Sequence, residues 1–166
     1  IGATHGGISV GEDGASHQCC EDFALMRTIP GMTVMCPADD VEARQMVKAA
    51  YEMEGPVYMR FGRAATPVFH EESYAFQIGK GEVIQDGADI AIIATGIMVP
   101  EAIEAGKALA EAGISARVIN MATIKPLDEE LVLKAARECG KIVTVEEHSV
   151  IGGLGEAVCS VLAENC

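Results

Sequence analysis

Two histidines and two acids stand close together near the start of the sequence, on a stretch rich in glycine. Residues 5–18 read HGGISVGEDGASHQ and contain His5, Glu12, Asp13 and His17. Imidazoles exchange protons near neutral pH, and carboxylates accept hydrogen bonds from hydroxyls or from an imidazole. Glycines let the backbone bend freely and approach a ligand closely. A lone histidine would indicate an ordinary solvated loop, but this group predicts a binding or catalytic site.

The elements that must hold this loop alternate between helix and strand. The sequence predicts a helix capped by Ser16 and running to about Thr28, a strand at 32–36, a helix capped by Asp39 or Asp40, and a strand at 57–61. Two strands are too few for a sheet that stands alone. We therefore expect this first unit to be incomplete.

A second unit follows a stretch without periodicity. The sequence predicts a hairpin joining 82–85 to a strand that starts near Asp89, strands at 90–95, 117–121 and 141–145, and helices at 100–112, from Asp128 to Gly140, and at 156–164. Alternating strands and helices are typical of mostly parallel sheets. We therefore predict an α/β fold of two units, with helices covering both faces of each sheet.

Composition and charge limit the partners of the chain. Its 166 residues are 49% hydrophobic, enough for a real core, and the net charge is −13. A chain this acidic repels phosphate backbones and anionic lipids. We therefore expect neither nucleic acid nor a membrane as a partner. The six cysteines show no C-x-x-C spacing. Such scattered cysteines are typical of small buried side chains in a reducing, cytoplasmic protein rather than of a disulfide framework or metal site.

Four segments carry a resemblance to a known family. The run HGGISVGEDGASHQ, followed by MTVMCPADD and MRFGRAATP, resembles the pyrimidine-binding domain of transketolase, and VEEHSVIGGLGEAV resembles the C-terminal domain of that family. The resemblance implies a partial pyrimidine-binding domain at 1–66, a linker at 67–80 and a C-terminal-like domain, truncated at its end, at 81–166. This chain departs from the family at Gly6 and Gly7, where Asp-Ser is usual.

Transketolases move a two-carbon ketol unit between sugar phosphates with thiamine diphosphate and a divalent metal such as Mg²⁺. The resemblance implies that His5 and His17 contact substrate hydroxyls, that His17 also transfers protons as a catalytic residue, and that Asp13 accepts a hydrogen bond from a sugar hydroxyl. Arg63 matches the arginine that binds the substrate phosphate. Arg60, on the preceding strand, competes for that role, since one of the two can face the site and the other solvent or a salt bridge.

Much of what this family needs for cofactor binding is not in the sequence. The glutamate that activates the cofactor and the motif that holds its diphosphate and metal lie upstream in transketolases, so cofactor-binding residues are unknown here and we predict no metal ligand. The chain begins at Ile1 and ends at Cys166, and both ends look cut. We therefore expect a section that is inactive without an N-terminal transketolase section, working as a homodimer or a heterotetramer.

Several alternatives stay open. The same pair of domains occurs in 1-deoxyxylulose-5-phosphate synthase and in the β subunit of 2-oxoacid dehydrogenases, and a non-catalytic assembly or regulatory module is the rival from another class. The GGLG run at 152–155 either binds an anion at a helix N-terminus or forms a tight turn, and the turn is favoured. His148, just before it, is expected to be structural or to lie between domains.

Overall fold

The computed structural model describes residues 1–165; Cys166 lies outside the described residues. Within them the strands are β1 (Gly2–Ala3), β2 (Thr33–Met35), β3 (Val57–Arg60), β4 (Glu82–Gln85), β5 (Ile90–Ala94), β6 (Ala116–Asn120), β7 (Thr123–Lys125) and β8 (Ile142–Val145). The α-helices are α1 (Asp22–Thr28), α2 (Asp40–Glu52), α3 (Met98–Glu111), α4 (Glu129–Cys139) and α5 (Leu154–Asn165). None of the helices described is long and apolar enough to cross a bilayer.

The first sheet has the order β1-β3-β2-β7. β1 and β2 pair with β3 in parallel, and β7 adds to the far edge of β2 in the antiparallel direction. The prediction of only two strands was therefore wrong. β1 and β7 span two and three residues, too few to show an alternating pattern, and β7 comes from the second half of the chain.

The second sheet has the order β4-β6-β5-β8, with β5 between two parallel partners. The predicted hairpin between β4 and β5 was wrong, since β4 pairs antiparallel with β6 instead. The turn after β4 passes directly over β6, where a Cβ on Gly87 would overlap the carbonyl carbon of Ala116. The two sheets and their helices confirm the predicted α/β class, with mostly parallel strands.

The helix ends follow local chemistry in most places. Asp39 and Asp128 each accept a hydrogen bond from the backbone N–H three residues ahead, and Gly140 ends α4 in the left-handed region at φ 68°. These three predictions are confirmed. The predicted cap at Ser16 was wrong, because α1 begins at Asp22.

One apolar core cluster joins the two units. Phe23 and Val34 from the first half of the chain lie in the same cluster as Ile93, Ile119 and Leu154 from the second. The cysteines fit this core only in part. Cys36 and Cys139 are buried, and burial raises the pKa of Cys36 to about 11, whereas Cys159 is exposed.

A buried polar network also crosses between the units. Asp39 Oδ2 accepts hydrogen bonds from the backbone N–H groups of Phe69 and His70, and Glu42, wholly buried, accepts from the Tyr74 hydroxyl and the Asn120 amide. The network thus includes residues from α2, the predicted linker and β6. The domain limits at 66 and 81 stay a prediction, but the segment between them is packed.

His70 is the cation of this network. Its Nε2 lies 2.8 Å from Glu82 Oε2 and its Nδ1 lies 3.0 Å from Asp39 Oδ2. Glu42 is nearby, and the Tyr74 ring stacks on the imidazole at 4.0 Å between centroids. Burial lowers the pKa of His70, but the hydrogen bond to Glu82 and the nearby charges of Asp39 and Glu42 outweigh burial and raise it to about 9. A pKa raised on folding contributes stability below the unfolded value and loses it as pH rises through the folded value.

We therefore expect the free energy of unfolding to fall between pH 6.5 and about 9, by up to about 3 kcal/mol. His70→Gln removes the charge and should weaken this pH dependence and lower stability at pH 6. Urea unfolding across this pH range measures both effects. His17→Gln, at an exposed position, is the control and should keep the wild-type slope. An unchanged slope in His70→Gln would contradict this account of the network.

Candidate functional site

The glycine-rich stretch forms a closed loop above the end of the first sheet. Gly7 and Cys19 exchange two backbone hydrogen bonds, 2.7 Å from Gly7 N to Cys19 O and 3.2 Å from Cys19 N to Gly7 O. A short 3₁₀ turn at Gly11–Asp13 folds the middle of the loop. This bridge keeps residues 17–19 out of the helix that the sequence predicted, and it fixes the base from which the polar side chains project.

The topology of the sheet brings the predicted site residues together. His5 follows β1 and Arg63 follows β3, and these strands are parallel neighbours with Ala3 opposite Arg60. The carboxyl ends of parallel strands meet at one edge of a sheet, which is where open α/β folds bind ligands. Two segments far apart in sequence therefore reach the same place.

Asp13 links the two segments at that edge. Arg63 Nε donates to Asp13 Oδ2 at 2.9 Å, and His5 Nε2 lies 3.8 Å from the same oxygen. The rings of His5 and His17 lie 5.8 Å apart between centroids. Asp13, His5 and Arg63 keep 30%, 33% and 44% of their side-chain surface exposed. All four predicted residues thus form one accessible polar cluster.

Both histidine rings are oriented by a neighbouring hydroxyl. His5 Nδ1 lies 2.9 Å from the Thr4 hydroxyl, and His17 Nδ1 lies 3.0 Å from the Ser16 hydroxyl. His5 also has φ 63°, a conformation that no other non-glycine residue adopts in the part of the chain described. Such strain persists only where surrounding contacts impose it, and it is concentrated at functional sites.

Arg60, the competitor of Arg63, lies beneath the site. Its side chain is 4% exposed, and its Nε donates to Asp22 Oδ2 at 3.0 Å. One terminal nitrogen donates to the carbonyl oxygens of Cys19 and Glu147, and the guanidinium lies 4.5 Å from the centre of the Phe23 ring. Both arginines pair with an aspartate, but Arg60 is buried, whereas Arg63 is accessible to solvent and ligands.

His148 and the GGLG run have structural roles. His148 Nε2 accepts from the backbone N–H of Phe23 at 3.1 Å, so the ring proton is on Nδ1, which donates to Ser149 O. The expected position between the two units is confirmed. At the GGLG run, the Glu146 carboxylate accepts from the N–H groups of Leu154 and Gly155. The Glu146 carboxylate therefore occupies the position where an anion could bind. The GGLG run forms the tight turn, as favoured from the sequence.

Sequence reasoning missed one residue at the base of the loop. Glu147, from the second unit, is 8% exposed, and its Oε1 accepts a hydrogen bond from the backbone N–H of Ser9. The available signal was the Gly6-Gly7 departure from the family pattern, because paired glycines mark places where other groups approach the backbone closely.

No metal site is found among the described residues. Residues 1–165 contain no group of three acids, histidines or cysteines that could hold an ion.

Comparison with protein families accounts for nearly the whole chain. The transketolase pyrimidine binding domain matches residues 1–68, and the transketolase C-terminal domain matches residues 79–166. The second match alone spans more than half of the sequence. It includes Glu147 and the GGLG run, while the first includes the polar loop and both arginines.

Two relatives are similar over almost all of this chain. A transketolase C-terminal section from Methanocaldococcus jannaschii is 53% identical over 167 residues, which cover 99% of this chain and 52% of that protein. One of the subunits of the apulose-4-phosphate transketolase from Phocaeicola vulgatus is 47% identical over 161 residues, covering 96% of this chain and 52% of that protein. The chain therefore spans about half the length of these relatives.

A solved structure has the same fold. A split gene transketolase, solved as an inactive beta4 tetramer, matches with a TM-score of 0.93 and 51% identity, over 99% of this chain and 52% of that one. Sequence and fold thus agree. The chain belongs to the transketolase family, and its two halves match the pyrimidine binding domain and the C-terminal domain of that family.

Proposed function

We propose that this chain supplies the substrate-facing half of an enzyme that transfers a two-carbon ketol unit between sugar phosphates. The observation that carries the proposal is the meeting of His5, Asp13, His17 and Arg63 on one accessible surface. The names of the similar proteins, two of which are split or multi-subunit forms of transketolase, support it. The sugar itself stays open, because those relatives do not share one named substrate.

Each residue of the cluster has a role suited to its chemistry. His5 and His17 bind sugar hydroxyls, and His17 moves a proton at the reacting carbon as general acid and base. Arg63 uses Nε on Asp13, so its two terminal nitrogens are available to bind a phosphate through paired hydrogen bonds. Asp13 both holds Arg63 and accepts from a hydroxyl through its second oxygen.

Cofactor binding is shared in this proposal. Thiamine diphosphate supplies the carbanion chemistry when bound, and His5 and His17 would lie beside its reactive ring. The described residues form no group that could hold a metal ion. We therefore assign Mg²⁺ and the diphosphate to an N-terminal section, with residues 1–66 forming part of the pyrimidine-binding domain and 81–166 the C-terminal domain.

The proposed assembly is a cytoplasmic heteromer of this chain with an N-terminal transketolase section. The solved relative, described as inactive, is an assembly of β chains, which fits a division of labour between two polypeptides. The test is to mix this chain with an N-terminal section, thiamine diphosphate and Mg²⁺ and to follow ketol transfer between sugar phosphates. Consumption of pyruvate instead would favour the synthase or the 2-oxoacid dehydrogenase, and no turnover would favour a non-catalytic module.

In that mixture His17→Ala should lower kcat by about 100-fold, the usual contribution of a positioned acid–base group. Asp13→Asn should lower it less, because the amide oxygen still accepts a hydrogen bond. Glu12→Gln is the control, since Glu12 is an exposed neighbour on the same loop, and it should keep full activity. Steady-state kinetics gives all three values, and wild-type rates in His17→Ala would contradict the catalytic role.

Arg63→Ala should raise the KM for phosphorylated substrates by about 10- to 100-fold, because charge-assisted hydrogen bonds to the phosphate are lost. The KM for unphosphorylated analogues such as hydroxypyruvate should change little. Arg44→Ala is the matched control, an exposed arginine paired with Asp40 and Glu72. Equal effects of Arg63→Ala on both kinds of substrate would remove its phosphate role.

A further inference from the structure

The base of the polar loop rests on a residue from the second unit. Glu147 lies just after β8, and its carboxylate accepts from the Ser9 backbone N–H. Its side chain also approaches the loop backbone at Gly7, where a Cβ would overlap Glu147 Cδ. No side chain larger than hydrogen fits there while Glu147 keeps this position.

Gly6 is packed as closely against a neighbouring side chain as Gly7 is. A Cβ on Gly6 would overlap Arg60 Nε, and Gly7 has φ +95°, a value that other residues rarely adopt. The loop backbone therefore lies directly on Arg60 and Glu147. A side chain at position 6 or 7 would therefore have to displace Arg60 or Glu147.

Both sides of the loop base are held by the segment that contains Glu147. Ser149 N donates to Cys20 O at 2.8 Å, and Arg60 joins Cys19 O to Glu147 O through one nitrogen. His5 lies two residues before Gly7, and His17 lies two residues before Cys19. A displacement at the base is therefore transmitted over a short length of chain to both imidazoles.

The interaction of Glu147 with the loop is electrostatic as well as steric. Its Oε2 is buried and has no hydrogen-bond partner among the residues described. A buried carboxylate oxygen without a partner is costly. Arg60 lies beside this residue, since its guanidinium donates to the Glu147 backbone carbonyl at 2.7 Å. Burial lowers the pKa of Arg60, but Cys36, Asp22 and Glu147 together raise it above its ordinary value.

We propose that Glu147 is a positioning residue, by which the second unit holds the loop carrying His5 and His17 in its working geometry. The proposal rests on the proposed function for its catalytic consequence, but the loop contact itself does not. It also gives the C-terminal domain a defined task in the site, although that domain contributes none of the four residues of the polar cluster.

The test compares Glu147→Ala and Glu147→Gln with wild type in the full chain, mixed with the N-terminal section. Hydrogen exchange followed by mass spectrometry should show at least about tenfold faster exchange at 7–20 in Glu147→Ala, the change expected when one charge-assisted hydrogen bond is lost. Exchange in β5 and β6 should stay at the wild-type rate. In Glu147→Gln the amide oxygen can still accept from Ser9, so exchange should return towards wild type.

Kinetics supplies the second readout. Glu147→Ala should lower kcat about tenfold while the KM for the sugar phosphate changes less than about twofold, and Glu147→Gln should restore most of the rate. Unchanged exchange at 7–20 in Glu147→Ala, equally faster exchange in β5 and β6, or no rescue by glutamine would overturn the positioning role. No ketol transfer by the wild-type mixture would overturn the proposed function instead, and the exchange data would still decide the loop contact.

Discussion

The buried guanidinium of Arg60 is the interaction on which the rest of this structure depends. A buried charge is tolerated only when it is paired and hydrogen-bonded. Arg60 meets that condition through Asp22 on α1, the carbonyl of Cys19 in the loop and the carbonyl of Glu147 in the second unit. These partners come from three separate parts of the chain, so all three must be in place before the charge is satisfied.

The two arginines of this region have different places: Arg60 supports the loop, and Arg63 belongs to the proposed site. Arg60 lies on β3, and Arg63 leaves the end of the same strand three residues later. The first is buried and joins the parts that form the base of the loop. The second is accessible and meets Asp13 above it. In the proposed enzyme the substrate would contact a surface whose shape is decided by residues that it never touches.

Local features could be predicted from the sequence, and long-range ones could not. The caps at Asp39 and Asp128 depend on side chains within three residues, and the spacing of the polar loop is itself a local pattern. β7 has only three residues and pairs with a strand almost ninety positions earlier, so no periodicity marks it. The prediction that Ser16 caps a helix was wrong for a related reason. The bridge between Gly7 and Cys19 holds that segment in the loop. The role of Glu147 required the pairing of two units that the sequence presents separately.

We propose that this chain carries the substrate-facing wall of the site, while an N-terminal section holds most of the cofactor. Calorimetric titration of thiamine diphosphate with Mg²⁺ tests it most directly, on this chain alone and on its mixture with that section. We expect saturable binding by the mixture, with one cofactor for each pair of chains, and none by this chain alone at the same concentrations. Binding by this chain alone as tight as that of the mixture would contradict it.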